Sequence, residues 1–344
     1  MTGRPPYEPL VSVVIPVRNG AGTLSPCLRA IRKSSYRNIE VLVVDDHSTD
    51  ETAAVAGGYQ CRLISVSDGS GANNARNTGA RAAGGEILIF VDADIVVRRE
   101  TILEIVESLE YDDTDAVVGI YTARHRHESF VSQYKNLWVR YSYIKSPPAI
   151  DWMFGSISGI KRQAFDNLGG FNVELLARHG HDDIELGKRL SRARLNIVLN
   201  MDIEVEHLKR YSFASFVGNE FHRSAGFAQL AVQFGETVKA FRRGFVNVYP
   251  NFVISTVLSV LLIVLAAAVT AGLFPAWYLS ALGAAYLLLN IRFLNYLEQV
   301  RGIFAMVVMV PFLFVDHVTC FVGGIVGTLR GIFAIKKAPV SPDL

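Results

Sequence analysis

Two carboxylates one residue apart, Asp92 and Asp94, close the fully apolar run Ile87-Leu88-Ile89-Phe90-Val91. Such a run reads as a buried strand, and in an open α/β sheet ligands collect at the carboxyl ends of strands. Hard oxygen donors at that spot suit Mg²⁺ or Mn²⁺ held against a diphosphate, because these ions take one or two carboxylates and complete their shell with substrate phosphates. A lone pair of acids at a strand end also reads as a cap for the following helix. Three neighbouring segments tip the balance towards a ligand site. Ile15-Pro16-Val17-Arg18-Asn19-Gly20 ends a first apolar strand, and Val43-Val44-Asp45-Asp46-His47-Ser48-Thr49-Asp50 ends a second. The third unit brings Gly71-Ala72-Asn73-Asn74-Ala75-Arg76-Asn77-Thr78-Gly79, where Arg76 can reach a phosphate or a base. Four successive strand ends thus point polar groups into one crevice. A dinucleotide-binding fold would carry G-x-G-x-x-G after the first strand, but Gly20 and Gly22 are followed by Ser25, which disfavours a Rossmann oxidoreductase.

The elements that must position these groups follow from an alternation of apolar runs and helical patterns. Val11–Val17 precedes Thr23–Ser34, Ile39–Val44 precedes Thr49–Ala56, Arg62–Val66 precedes Ala72–Ala83, and Glu86–Val91 precedes Glu100–Leu109. This rhythm predicts right-handed βαβ units and an α/β fold with a mostly parallel sheet flanked by helices. Ala116–Tyr121 is a further strand, and a helical stretch surrounds Ser129–Tyr143. Asp182 and Asp183, after His181, stand before a helical pattern over Ile184–Arg194. They read as acids favoured by a helix N-terminus, as a general base, or as both. His207 follows an apolar strand and reads equally as a metal or diphosphate contact and as a hydrogen-bonded structural histidine.

Composition narrows the class. The chain has 344 residues, a net charge of +2 and 50% hydrophobic residues, with a mean hydropathy of +0.27. So small a charge argues against a nucleic-acid partner. Cys27, Cys61 and Cys320 are far apart and read as reduced thiols without disulfide or zinc spacing. The polar, Pro-rich stretch Met1–Pro9 lacks the apolar core of a secretory signal. The apolar excess falls after residue 248. Phe252–Leu273 is 22 uncharged residues long, 13 of them Leu, Ile, Val or Phe, enough to span a bilayer and to favour insertion by about 4–8 kcal/mol. A buried core helix is the alternative. Ala276 to Ile291 is a second, shorter candidate with Trp277 and Tyr278 as interface anchors. Gly302–Leu329 reads as one span kinked at Pro311, or as two shorter pieces with Asp316 and His317 marking the interface between them. Phe213, Val217, Phe221 and Phe227 recur near helical spacing among Arg210, Arg223, Lys239, Arg242 and Arg243. That pattern suits a helix lying on a membrane surface, or one packed on the globular domain.

Taken in order, I-P-x-R-N at 15–19, V-D-D-x-S-T-D at 44–50, A-R-N-T-G at 75–79 and F-V-D-A-D at 90–94 resemble the inverting family 2 glycosyltransferases of GT-A fold. F-G-S-I-S-G at 154–159, G-G-F at 169–171 and H-D-D-I-E-L-G at 181–187 extend the resemblance to about residues 10–225. It implies a nucleoside-diphosphate sugar donor, with a bias towards UDP, bound by Pro16, Arg18, Asn19, Asp45, Asp46, Arg76, Asp92 and Arg223. Asp46 is then the acid that bonds the base. Asp92 meets the ribose or the metal, and Asp94, with His207, the metal itself. Asp183 is the implied general base, and Asp182 stands where the family carries Glu. Glu220 and Ser224 replace the Gln and Trp of the Q-x-x-R-W motif of processive relatives, which argues against polymerisation.

The sequence therefore predicts a catalytic domain over residues 1–210, amphipathic interfacial helices over 211–248 and a membrane region of two to four spans over 249–344. The expected activity is transfer of one sugar to a lipid-linked or membrane-associated glycan acceptor in cell-envelope glycan synthesis, by a multi-pass protein in contact with membrane lipids. Arg242 and Arg243 before the first span place the catalytic domain on the cytoplasmic side. Transfer to a polyprenyl phosphate, which needs no base, and an inert nucleotide-sugar-binding protein are the alternatives.

Overall fold

Val11–Val17 is buried at all seven positions and forms β1, inside a nine-stranded sheet. The computed structural model describes residues 8–66, 71–110, 113–173, 182–238, 242 and 244–337. They fall into two compact units, Met1–Arg126 with Ile144–Lys209, and His127–Tyr143 with Arg210–Leu344.

In the first unit β1 lies between β2 (Ile39–Asp46) and β4 (Ile87–Val91), and β3 (Arg62–Val66) extends β2, all parallel. The helices α1 (Ala21–Arg32), α2 (Thr52–Gly57), α3 (Ala72–Ala82) and α4 (Thr101–Glu110) follow these strands, as the alternation predicts. Gly79 lets α3 lie close on the sheet, since a Cβ there would stand 2.4 Å from Cγ1 of Val14. Beyond β4 the sheet is mixed. The strand order is β3-β2-β1-β4-β8-β6-β9-β5, with β5 at Ile95–Val97, β6 at Ala116–Tyr121, β8 at Ile157–Lys161 and β9 at Ile197–His207. The short β7 (Ala149–Ile150) pairs with β9. β8 runs antiparallel to both β4 and β6, so the segment read from sequence as a motif is a buried strand that parts the two. The unit is completed by α6 (Arg162–Asn167) and α7 (Asp182–Arg192).

The second unit is helical: α5 (Phe130–Ile144, of which 130–143 belong here), α8 (Phe213–Gln233), α9 (Pro250–Thr270), α10 (Trp277–Leu289) and α11 (Ile291–Lys337). α8 does not stand alone as a surface helix. It packs along Gly323, Gly327 and Gly331 of α11, where added Cβ atoms would come within 2.1 Å of Ser224 Oγ, 1.9 Å of Ala225 O and 2.8 Å of Val232 Cβ. Small residues at i and i+4 permit such close approach. The buried face of α8 is therefore Phe216, Glu220, Ala225 and Leu230, while Phe213 is 53% exposed.

Two expectations for the C-terminal region are corrected. The break in α11 lies at Gly302, whose φ of 82° is one only glycine adopts readily, and Pro311 sits within continuing helix. Asp316 and His317 mark no junction between short helices. Both are fully buried in α11, with Asp316 accepting from the Tyr134 hydroxyl at 2.7 Å and His317 Nδ1 paired with the Tyr286 hydroxyl at 2.7 Å. Among the described residues α9 and α11 are long and apolar enough to cross a membrane, and α10 is shorter.

Candidate active site

The carboxyl ends of β1, β2 and β4 carry the expected residues, and hydrogen bonds between loops fix them. Asn19, at φ 53°, donates its N–H to Ser48 Oγ at 2.8 Å, and its Oδ1 accepts the Thr49 N–H at 2.8 Å. Asparagine tolerates that left-handed backbone. Pro16 faces Val44 across the β1–β2 ladder, and Arg18 is exposed just beyond it. Asp45 accepts the Ser48 N–H at 3.0 Å, and Asp46 accepts the Gly71 N–H at 3.1 and 3.3 Å. The first, second and third βα turns are thereby tied into one rim.

Asp92 and Asp94 have separate partners. Arg76 Nη2 lies 2.9 Å from Oδ1 of Asp92, the two side chains being 7% and 31% exposed, while Ser156 Oγ donates to Oδ2 at 3.0 Å. The Tyr121 hydroxyl stands 2.8 Å from Ser156 Oγ. Burial pushes the Asp92 carboxyl up; Arg76 opposes this and Asp94 reinforces it. Asp94 faces His207, with Oδ2 3.4 Å from Nε2. This meeting follows from strand pairing, because β5 runs antiparallel to β9 with Ile95 opposite His207. The His207 ring stacks on Tyr121 at 4.5 Å. Burial also pushes the Asp94 carboxyl up, but the His207 hydrogen bond, with the charges of His207 and Lys209, holds it below its ordinary value. Behind both acids lies Cys27, whose thiol burial pushes up and so keeps unreactive.

The donor set fits a hard divalent cation. Asp94 has no Arg or Lys ion pair among the described residues, its carboxylate stays ionised, and an imidazole nitrogen converges with it. Asp92, by contrast, is already engaged by Arg76. A cluster in the second unit, Glu220, Asp316 and Cys320, brings ligand atoms within 4.8 Å of one another. There, however, Glu220 is ion-paired with both Lys135 and Arg223, and Asp316 accepts from Tyr134 and Cys320. Those partners make it a structural network.

Asp183, the second residue of α7, accepts the Gly155 N–H on Oδ2 at 2.7 Å and the Ile184 N–H on Oδ1 at 2.8 Å. Gly187 lets α7 lie against the chain before β8, where a Cβ would stand 2.3 Å from Cα of Trp152. The G-G-F segment is held by Arg189, which donates to the carbonyls of Leu168 and Gly170 at 2.7 and 2.6 Å. Asn77 exchanges two hydrogen bonds with the Phe171 backbone at 2.8 and 2.9 Å, and the Phe171 ring lies 5.4 Å from the Arg76 guanidinium.

The first unit thus brings together Arg76, Asp92, Asp94, His207 and Asp183. Arg223 is not among them: it belongs to the second unit, where Nε and Nη2 donate to Glu220 at 3.1 and 2.7 Å. His181 and the Asp182 side chain lie outside the described residues. Sequence reading assigned no role to Gly155, Ser156 or Tyr121, although F-G-S-I-S-G was its signal for the first two.

Residues 12–169 match the profile of Glycosyl transferase family 2, and residues 137–212 that described as the N-terminal domain of galactosyltransferase. The mannosyltransferase PcManGT of Pyrobaculum calidifontis, solved with GDP-Man and Mn²⁺, superposes with a TM-score of 0.61 at 26% identity, over 89% of this chain and 88% of that one. Glycosyltransferase GlyG of Streptococcus pneumoniae serotype 4 is 33% identical over 117 residues, 33% of this chain and 39% of the relative. A UDP-Glc:alpha-D-GlcNAc-diphosphoundecaprenol beta-1,3-glucosyltransferase, WfgD of Escherichia coli, is 34% identical over 88 residues, 25% of this chain and 35% of the relative. The chain spans well under half the length of these two curated relatives. The sheet, its acidic edge and these likenesses define a GT-A fold. Residues 12–169, a little under half of the chain, form a family 2 glycosyltransferase domain.

Proposed function

We propose that the protein transfers one sugar, with inversion, from a nucleoside-diphosphate donor to a lipid-linked glycan acceptor at the cytoplasmic face of a membrane. The observation that carries this reading is the spacing of two neighbouring residues: Gly155 holds Asp183 and Ser156 holds Asp92. Acid–base and donor groups are therefore positioned by one dipeptide. Asp183 takes the proton of the acceptor hydroxyl as its oxygen attacks the anomeric carbon. The bond from that carbon to the diphosphate breaks on the opposite face, and the nucleoside diphosphate departs. A positioned carboxylate contributes roughly 10²–10⁴-fold to such a step. Asp94 and His207 would hold Mg²⁺ or Mn²⁺, which supplies charge neutralisation of the leaving diphosphate when bound. Asp45, Asp46, Pro16, Arg18 and Asn19 form the rim for the nucleoside, and Arg76 holds Asp92 in place. A UDP-sugar is the expected donor, in line with the UDP-Glc named for the Escherichia coli relative.

Membrane attachment is supported by α9, since only 22% of its most apolar stretch is buried within the protein, against the near-complete burial of a core helix. With α9 and α11 as the crossings, both flanks lie on one side, and Arg242 before α9 argues that this side is cytoplasmic. The test is incubation of membranes with radiolabelled UDP- and GDP-sugars, with and without Mn²⁺, followed by organic extraction. One discrete labelled lipid supports the reading; label in long water-soluble polymer overturns it.

A further inference from the structure

A cavity of about 360 Å³ lies within the second unit between α8, α9 and α11. Its volume is that of a small-ligand site. Phe227, Phe245, Phe252, Val253, Phe321 and Ile325 form apolar walls. Among the described residues Arg223 is the only charged one in the lining. Its guanidinium is held by Glu220 through Nε and Nη2 and lies 5.4 Å from the Phe227 ring. Nη1 has no partner among the described residues, and the side chain keeps 20% exposure. Glu220 also pairs with Lys135, so two cations share that one carboxylate.

We propose that this cavity binds a lipid phosphate, with the first part of one long apolar chain between the three helices and a phosphate oxygen on Nη1 of Arg223. Three features together select that occupant. The walls are apolar, two of the three helices are the candidate membrane crossings, and the one open charged donor among the described residues is a guanidinium, whose planar fork suits phosphate oxygens. A soluble sugar would leave its hydroxyls unpaired against phenyl and aliphatic walls. A neutral lipid would make no use of Arg223. The assignment rests on the lipid-linked acceptor reading and names where the lipid part of that acceptor is held.

The test is photolabelling of the full-length protein in detergent micelles with a pentadecyl phosphate bearing a diazirine within the first few carbons from the phosphate, followed by peptide mapping. Adducts are expected within 245–257 or 320–329, competed by dodecyl phosphate and not by inorganic phosphate or a neutral dodecyl glycoside. Val253→Trp, which fills the cavity, is expected to lower labelling by about tenfold while leaving UDP–Mn²⁺ affinity unchanged. Adducts elsewhere, or competition by inorganic phosphate or the neutral glycoside as strong as by dodecyl phosphate, overturn the site. The competition is read on the unaltered protein, so it stands even where a variant fails to fold. Failure of labelling alongside a labelled lipid product refutes the cavity and spares the acceptor reading; a water-soluble product refutes that reading itself.

Discussion

Gly155 donates its N–H to Oδ2 of Asp183 at 2.7 Å, and a side chain at its Cα would press on both neighbouring groups. A Cβ there would stand 3.0 Å from Nη2 of Arg76 and 3.4 Å from that same oxygen. The backbone at this point touches the proposed base on one side and, through Arg76, the donor carboxylate Asp92 on the other.

Gly155→Ala should therefore disturb both groups without unfolding the sheet. The expected result is a fall of about tenfold or more in kcat, since displacements below 1 Å in the reacting groups are costly, together with a raised donor KM from the shift of Arg76. A steady-state analysis with the donor varied separates the two. Unchanged constants would show that the contact is incidental.

Asp183→Asn keeps the shape and can still accept the Gly155 N–H. Donor affinity should survive while transfer falls by roughly 10²-fold or more, the loss expected for a general base. Transfer within a few-fold of wild type would remove Asp183 from the mechanism and favour an acceptor that is already an anion.

Metal dependence is assigned to one pair of residues. Asp94→Ala and His207→Ala should each weaken Mn²⁺-dependent UDP binding by roughly tenfold or more, and EDTA should do the same to the unaltered protein. Isothermal titration of UDP with and without Mn²⁺ measures it. A mutant that binds UDP–Mn²⁺ as wild type does would exclude that residue as a ligand.

Glu220 is fully buried between Lys135 and Arg223. Removing its charge by Glu220→Gln leaves the buried Lys135 and the half-buried Arg223 without their anion, at a cost of about 3–5 kcal/mol, read as a lower unfolding temperature in detergent. Burial pushes this carboxyl up, yet Arg223 and Lys135 hold it down, from 4.5 to about 2. A depressed carboxyl contributes stability that is fully present above the unfolded value and lost as pH falls towards the folded one. Wild type should thus lose this contribution between pH 4.5 and about 2, and the Gln variant should show no such loss.

A reporter fused after Leu344 should read as cytoplasmic if α9 and α11 are the two crossings. An extracytoplasmic signal would mean that α10 crosses as well.

Much of the first unit is legible in the linear chain because its information is local. Val11–Val17 and Ile87–Val91 are buried throughout, and Ile39–Asp46 over its last five residues, so each reads as a largely apolar run. Each delivers its polar residues at the end where the run stops. That is why Asp45, Asp46, Asp92 and Asp94 stand out without coordinates. The proposed metal pair is half legible: His207 is a candidate from sequence, but its partner is set by a ladder joining residues 95–97 to 205–207. No local signal reports such a pairing.

What only tertiary structure decided has one physical cause, contacts between segments far apart in the chain. β8 enters antiparallel between β4 and β6, and so places Gly155 and Ser156 beside groups at 183 and 92. The aromatic spacing of α8 suggested a face turned to lipid. Its true partner is a row of glycines about 100 residues later, whose missing side chains admit the α8 backbone. Asp316 and His317 look like a polar interruption of an apolar run. They are buried because Tyr134 and Tyr286, distant in sequence, supply the hydrogen bonds that make burial tolerable. Local periodicity determined the strands and the chemistry at their ends; long-range pairing determined which of those groups meet.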